Sequence, residues 1–186
     1  MNNKVILKGK KVILRPLSLK DAPRFCAWLK DTEVTKFLGI HHLKSPSLAE
    51  EREWIKEAKR SKDNINLSID TVEGEHIGSI GLKNVTKFHS HAELGIMIGN
   101  KKYWGQGCGT EATDLLINYA FRKLKLHRVY LYLVAFNTRA ERSYKRVGFK
   151  REGVMREHLK VDSHFHDKIV MGVLREEYLR KLKSNK

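Results

Sequence analysis

The chain has few cysteines and few prolines, and each shortage narrows what it can be. Its two cysteines in 186 residues, Cys26 and Cys108, match neither a disulfide framework nor a metal-binding spacing. Few cysteines without a pairing pattern are typical of proteins in a reducing compartment. All three prolines lie within the first 46 residues, and no linker, repeat or low-complexity tract marks a boundary. The sequence therefore predicts one domain over residues 1–186.

Long apolar runs are also missing. Met1 is followed by Asn-Asn-Lys and then by only a short apolar stretch, which argues against a secretory signal peptide. No apolar run approaches the ~18–20 residues that cross a bilayer. We therefore expect a soluble, cytoplasmic protein with no membrane partner.

Acidic residues are scarce relative to basic ones, at 21 against 37, which gives a formal net charge of +16. Such an excess can indicate an acidic partner, such as nucleic acid, the ribosome or an anionic cofactor. The basic residues are spread along the chain, which favours a generally basic, solvated surface and leaves an acidic partner open. No basic–aromatic motif predicts direct nucleic-acid readout.

The hydrophobic period changes along the chain. Ser18-Leu19-Lys20-Asp21 is similar to a capping box and predicts a helix through roughly Leu29. Strand-like alternation then predicts an antiparallel meander in the middle of the chain. The predicted strands are 12–17, 66–70, 76–82, 91–98, 128–135, 149 onward and 168–174, and the predicted helices are 18–29, 48–59, 111–125, 138–147 and 176–182.

These elements predict an α+β fold, with a mostly antiparallel sheet and helices on its faces. The strand–loop–helix–strand order over 91–135 is a crossover, so two central strands should be parallel. The helix that follows should open with a capping box at 138–141. Arg139, Arg142 and Arg146 share one face of that helix, which we expect to be solvated.

Three closely spaced glycines, Gly105, Gly107 and Gly109, lie between a predicted strand and a predicted helix. They let the backbone adopt positive φ and approach a ligand. The N-terminus of the next helix offers free N–H groups and positive charge, which suits a pyrophosphate. A flexible turn is the plain alternative. The GxxxxGK[ST] loop is absent, and the spacing does not match a dinucleotide fingerprint.

The segment Trp104-Gly105-Gln106-Gly107-Cys108-Gly109 resembles the Gln/Arg-x-x-Gly-x-Gly/Ala cofactor loop of the GNAT superfamily of N-acetyltransferases. Trp104 departs from the usual Gln or Arg. A tryptophan followed by Gly-x-Gly and Thr-Glu-Ala is similar to the branch that includes ribosomal-protein N-terminal acetyltransferases and spermidine acetyltransferases. A second motif, Asn-x-x-Ala-x-x-x-Tyr-x-x-x-Gly-Phe at 137–149, follows in the family's order. The resemblance covers nearly the whole chain.

The resemblance implies a central sheet of about six to seven strands whose parallel central pair splays around acetyl-CoA. It implies that backbone N–H groups of the glycine loop hold the pyrophosphate. It also implies that the strand before the loop pairs with the pantetheine arm, and that an asparagine side chain contacts the coenzyme. The predicted cofactor-binding residues are Met97, Ile98, Gly105, Gln106, Gly107, Cys108, Gly109, Thr110 and Asn137, and no metal is expected.

Transfer to an amine needs groups that handle protons. A neutral amine attacks the thioester carbonyl, and the leaving thiolate then benefits from a proton donor. The resemblance makes Tyr144 the general acid; the alternative is a core tyrosine. Glu93 is the best candidate for the general base; it could instead be a structural glutamate, or water could relay the proton. A low thiol pKa is plausible for Cys108 at a helix N-terminus, although the family transfers without an acyl-enzyme.

The resemblance thus implies acetyl transfer from acetyl-CoA to a primary amine, with a ribosomal or other protein N-terminus as the first candidate acceptor. A polyamine, an aminoglycoside or a non-catalytic acetyl-CoA sensor remains open. We expect residues 22–60 and 159–167 to set acceptor specificity. The glutamate-rich helix over 48–59 is the one concentration of acid that a polyamine could use. The oligomeric state, monomer or homodimer, is left open.

Overall fold

One eight-stranded sheet is the centre of this computed structural model, which describes residues 5–184. The first four residues, on which the signal-peptide expectation depends, and the last two lie outside the described residues. The strands are β1 Leu7–Lys8, β2 Val12–Pro16, β3 Ile65–Thr71, β4 His76–Thr86, β5 His91–Ile98, β6 Arg128–Val134, β7 Lys150–Val161 and β8 His164–Leu174. The helices are α1 Ala22–Lys30, α2 Thr32–Thr35, α3 Leu48–Arg60, α4 Cys108–Arg122, α5 Thr138–Val147 and α6 Arg175–Ser184.

The strand order is β1-β2-β3-β4-β5-β6-β8-β7, and every neighbouring pair is antiparallel except β5 and β6. The predicted α+β fold with a parallel central pair is confirmed. The described sheet has eight strands rather than six or seven, because the two-residue β1 is too short to show a period. The assignment of 1–186 to one domain stays a prediction.

The parallel pair separates soon after it forms. β5 and β6 are paired only from His91 with Arg128 to Glu93 with Tyr130. From Leu94 onward β5 keeps its pairing with β4, while β6 keeps its pairing with β8. The sheet therefore opens between two strands that are each held firmly on their other side.

Two apolar clusters stabilise the fold on either side of this opening. The larger one packs α4, α5 and α6 against the sheet, and the smaller one joins α1 to α3 through residues such as Phe25 and Ile55. Burial of apolar surface of this kind is the main favourable term in folding. The opening is thus bordered by helices that belong to two different cores.

Side-chain caps begin two of the helical segments that border the opening. Ser18 and Asp21 form the predicted capping box, which opens a short 3-10 turn leading into α1. The capping box expected at 138–141 is wrong. Asn137 caps α5 instead, and its Oδ1 accepts a hydrogen bond from the Ala140 N–H at 3.2 Å. Asn137 is the last non-helical residue, so its side chain, rather than that of Thr138, reaches the free N–H groups.

Among the helices of residues 5–184, none combines the length and the apolar composition that a bilayer-spanning helix needs.

Candidate active site

A cavity of about 790 Å³ lies where β5 and β6 separate. Its walls come from β4, β5, the glycine loop, α5 and the α1–α3 region. It brings together nine of the eleven residues predicted as functional: Glu93, Met97, Ile98, Gly105, Gly107, Gly109, Thr110, Asn137 and Tyr144. The side chains of Gln106 and Cys108 do not line it. The cavity is therefore where the predicted residues converge from four separate elements.

The glycine loop presents a row of free backbone donors. Gly105 and Gly107 have φ of +77° and +86°, a left-handed conformation that favours glycine. Gly107 immediately precedes α4. The structure gives the backbone N–H groups of residues 106–110 no hydrogen-bond partner within residues 5–184. Free N–H groups at a helix N-terminus, with the positive end of its dipole, are suited to an anionic ligand.

Two residues that sequence reasoning missed hold this loop in place. The Glu111 carboxylate accepts hydrogen bonds from the backbone N–H groups of Lys10, Lys11 and Val12 at 2.9, 2.7 and 2.9 Å. The Lys11 ammonium donates to the Gln106 carbonyl at 2.7 Å. The glutamate in the first turn of α4 was the available signal, but its partners lie about 100 residues away in the chain.

Trp104 fixes the other side of the loop. Its indole N–H donates to the Ile98 carbonyl at 2.6 Å. The Arg139 guanidinium lies 3.9 Å from the centre of the Trp104 ring, in cation–π geometry. Burial lowers the pKa of Arg139. Arg139, Arg142 and Arg146 are exposed as predicted, but all three line the cavity instead of facing open solvent.

The free edge of β5 is the second feature of this wall. Met97 and Ile98 pair with Ser79 and Gly78 of β4, and the β6 side of both residues has no strand partner within residues 5–184. An extended ligand chain can add to such an edge as a strand would. The Ile98 carbonyl is already used by Trp104, which leaves fewer acceptors there than the sequence suggested.

Tyr144 lies inside the cavity on the inner face of α5. Its side chain is 8% exposed, and burial raises the pKa of Tyr144 to about 12. The phenol is therefore protonated at neutral pH and can give up a proton there but not act as a base. Near it, the hydroxyls of Thr110 and Ser143 are 2.8 Å apart and connect α4 to α5. The capping bond occupies Asn137 Oδ1, so its amide nitrogen is the group left to face a ligand.

Glu93 sits at the last paired position before the opening. Its partners in register are Lys83 on β4 and Tyr130 on β6. The structure gives its half-buried carboxylate no hydrogen-bond or ion-pair partner among residues 5–184. Burial first, and the charge of Glu93 second, raise the pKa of Tyr130. A carboxylate that lines the cavity without a partner is free to accept a proton.

Cys108 does not have the properties suggested for it. It lies in the first turn of α4 but is 5% exposed and packs into the larger core. Burial raises the pKa of Cys108, so the suggestion of a low thiol pKa is wrong. Desolvation outweighs the helix terminus here because the sulfur points into apolar surroundings.

Two His-x-His pairs, His89/His91 and His164/His166, are candidate metal ligands in the sequence, because each pair would point to one face of a strand. The rings of His89 and His91 stack with centres 5.8 Å apart, and His166 packs against Phe136. Across residues 5–184, no group of three or more His, Cys, Asp or Glu side chains is placed to hold a metal ion.

The wall opposite Tyr144 comes from the region expected to set specificity. It is largely apolar and aromatic, with Glu51 as its acidic member. Leu159, at the start of the expected 159–167 segment, also lines the cavity, as does Lys168, one residue beyond its end. The contributing residues of the helical region are Phe25, Leu29, Val34, Phe37, Leu38, Ile40, Glu51 and Trp54.

Comparison with known families agrees with this arrangement. Residues 11–150 match the family model described as the acetyltransferase (GNAT) domain. A Bacillus subtilis protein named "Putative ribosomal N-acetyltransferase YdaF" is 30% identical over 172 residues, which is 90% of this chain and 93% of that protein. The spermidine N(1)-acetyltransferase of Escherichia coli K12 is 30% identical over 112 residues, or 60% of each chain.

Solved structures show the same fold. The crystal structure of spermidine N-acetyltransferase from Vibrio cholerae, in complex with CoA and spermine, superposes with a TM-score of 0.83 at 22% identity. The match covers 92% of this chain and 99% of that one. An acetyltransferase structure from T. thermophilus reaches a TM-score of 0.76 at 29% identity, over 97% and 96% of the two chains.

Proposed function

The chain belongs to the GNAT acetyltransferases, which use acetyl-CoA, and we propose that it transfers the acetyl group directly to a primary amine bound in the cavity. One observation supports this most strongly. Free backbone donors, an open strand edge, a buried phenol and an unpartnered carboxylate all border a single cavity. The first two can bind an anionic cofactor with an extended arm, and the last two can handle the protons of acyl transfer to an amine.

The residues present fit the coenzyme. In the proposal, the N–H groups of residues 106–110 bind its pyrophosphate, as their lack of other partners supports. The free edge at Met97 and Ile98 pairs with its pantetheine arm, and the Asn137 amide nitrogen donates to it. Arg139, stacked on Trp104, adds a positive charge beside the phosphates.

Tyr144 and Glu93 divide the proton handling in this proposal. Glu93 accepts the proton that the attacking ammonium must lose, directly or through water. The C–N bond then forms and gives a tetrahedral intermediate, whose nitrogen releases its second proton to solvent. The C–S bond breaks as the intermediate collapses, and Tyr144 donates its phenolic proton to the departing sulfur. Because the pKa of Tyr144 is about 12, the phenol regains its proton from solvent readily.

A protein N-terminus is the first acceptor to consider. The relative YdaF carries a ribosomal acetyltransferase name, and the net charge of +16 suits an approach to an acidic ribosome surface. A polyamine is the second candidate, because the Escherichia coli relative is named a spermidine acetyltransferase. A non-catalytic sensor is disfavoured, since it would have no use for an unpartnered Glu93 and a buried Tyr144 in one cavity.

A panel of acceptors tests the proposal. The protein is incubated with acetyl-CoA and with N-terminal peptides, polyamines, aminoglycosides or simple monoamines, and mass spectrometry of the products is combined with a thiol-release assay. We expect one acetylated amine for each thiol released with at least one acceptor class. Binding of acetyl-CoA without thiol release on every amine would contradict transfer and favour the sensor.

A further inference from the structure

α3 carries four glutamates, but the cavity receives only one of them. Glu50 completes a capping box with Ser47, and Glu53 forms an ion pair with Lys56 at 2.9 Å. Glu51 faces inward and is 5% exposed. Of the glutamates that the sequence suggested for polyamine binding, only Glu51 is therefore placed to contact a ligand in the cavity.

The Glu51 carboxylate lacks a partner. It lines the cavity, and the structure gives it no hydrogen bond or ion pair within residues 5–184. Lys44 lies close by, but its charge acts on Glu50. Burial raises the pKa of Glu51, and no neighbouring cation offsets that shift. The carboxylate opens onto the cavity, so a cation bound there can pair with it and offset the cost of its partial desolvation.

The groups around Glu51 favour a cation. Phe25 and Trp54 meet edge to face with ring centres 6.1 Å apart, and both line the cavity beside Glu51. A carboxylate supplies the opposite charge, and aromatic faces attract ammonium and guanidinium groups. No lysine or arginine of α1 to α3 lines the cavity, so the charge of this corner is negative.

Glu51 lies away from the reacting groups. Together with Trp54 it also lines a second, shallow cavity of about 380 Å³ on the outer side of α3, bounded by residues 44–46 and Glu50. No residue of β5, the glycine loop or α5 contributes to that second cavity. Glu51 therefore lies where the main cavity meets the second one, on α3 and not on the β5 and α5 elements that carry Glu93 and Tyr144, and there it can hold an acceptor.

We infer that Glu51, with Phe25 and Trp54, binds a second cationic group of the acceptor, an ammonium or guanidinium distinct from the amine that is acetylated. This inference rests on the proposed function and specifies its acceptor. A polyamine carries such a group on its chain, and a peptide carries it on a lysine or arginine near its N-terminus.

Binding measured separately from turnover tests the inference. Protein saturated with CoA is titrated by calorimetry with 1,4-diaminobutane and with butylamine, which differ by one ammonium. A peptide with lysine after its N-terminal residue is compared with the same peptide carrying norleucine. In each pair we expect the member with the extra cation to bind at least about tenfold more tightly, as for one charge-assisted hydrogen bond.

Glu51→Gln should remove that preference while leaving butylamine and CoA affinities within about twofold. Glu57→Gln, which makes the same change on the exposed face of α3, is the control and should leave the preference intact. Glu51→Asp keeps the charge and should keep part of the preference, which separates loss of charge from loss of fold.

Equal affinity for the two members of both pairs in the wild-type protein would overturn the inference. An equal loss of affinity for both members of each ligand pair in Glu51→Gln would also overturn the inference. A preference limited to the diamine or to the lysine peptide supports the inference and identifies the source of the cation. Cation-selective binding without acetyl transfer to any amine would refute the proposed function and leave the Glu51 site standing.

Discussion

The two walls of the cavity are built in different ways. The cofactor wall, formed by β5 and residues 103–148, offers mainly backbone groups, such as the free N–H groups of residues 106–110. The acceptor wall, formed by α1 to α3, offers side chains, among them Phe25, Trp54 and Glu51. Backbone groups can serve one unchanging cofactor whatever the side chains are. An acceptor wall made of side chains can change its specificity without changing the fold.

The walls also differ in how they are attached. A buried charge network anchors the acceptor wall at the start of α1, where Asp21 accepts hydrogen bonds from Arg15 at 2.8 and 2.9 Å and from Ser68 at 2.6 Å. His76 Nδ1 lies 3.2 Å from the same carboxylate. Glu111 anchors the cofactor wall to β2 by accepting backbone hydrogen bonds. Four substitutions probe this contrast, in decreasing order of the change we expect.

Asp21→Asn should have the largest effect, lowering the free energy of unfolding by about 3 kcal/mol, because it removes the buried negative charge that Arg15 and Ser68 both bond. Arg15 then keeps its ion pair with Asp70. Burial alone would raise the pKa of Asp21, but the nearby His76 ring and the hydrogen bonds from Arg15 and Ser68 hold it well below its usual range. The stabilisation is therefore present above pH ~3.9 and lost as the pH falls below that value. Urea unfolding measures both effects.

The exposed Asp63→Asn is the matched control and should change stability little. If Asp21→Asn were as stable as the wild-type protein at neutral pH, the charge network would not anchor the acceptor wall.

Tyr144→Phe should lower kcat by about 100-fold, since the leaving thiolate loses its proton donor. The CoA dissociation constant should stay within about twofold, because the cofactor wall binds through its backbone. Tyr132→Phe removes a hydroxyl from another tyrosine of the same cavity and should affect kcat little. Steady-state rates measure kcat, and calorimetry measures the CoA dissociation constant. An unchanged kcat in Tyr144→Phe would remove this residue from the mechanism.

Glu111→Ala should lower the free energy of unfolding by about 2 kcal/mol, because three backbone N–H groups lose their acceptor. It should also weaken CoA binding, since the glycine loop loses its attachment to β2. Thermal unfolding and CoA titration measure the two effects, with the exposed Glu176→Ala as control. A drop in stability with unchanged CoA affinity would show that the attachment does not position the loop.

Glu93→Gln should lower kcat/KM by about tenfold, a smaller loss than that of Tyr144→Phe because water can still carry the proton to solvent. The pH dependence of kcat/KM should change its form. The same substitution at the exposed Glu57 should leave the profile as it is. A profile of unchanged form in Glu93→Gln would assign Glu93 a structural role and leave the base to be found elsewhere.

The sequence predicts the cofactor wall better than the acceptor wall, for a physical reason. Gly105 and Gly107 adopt positive φ, which favours glycine, and Asn137 and Tyr144 follow at fixed helical spacing. Local patterns therefore predict this wall. Lys11 and Glu111 escape such patterns because their contact joins distant parts of the chain. Helical spacing places Glu51 on the same face of α3 as Ile55 and Ala58, which are buried with it. That this face meets the cavity depends on how α3 packs on α1, which the sequence does not show.

Burial explains the error at Cys108 in the same way. Helix position suggested an acidified thiol, whereas packing buries it. The pKa of Cys108 is raised by burial as a result. Arg139 is exposed as predicted, but its guanidinium stacks on Trp104, which helix position alone does not show. Neighbouring residues in the sequence predict the backbone conformation well. The burial and pKa of a side chain depend on helices and strands that are distant in the sequence and pack against it.

Direct transfer requires that both walls be occupied at once, with the acetyl group passing from one to the other. Initial rates over a matrix of acetyl-CoA and amine concentrations test this requirement, in the wild-type protein and in Cys108→Ser. We expect intersecting double-reciprocal lines in both proteins, with similar kcat. Parallel lines, with acetyl retained on the protein when amine is left out, would reveal a covalent intermediate and contradict direct transfer.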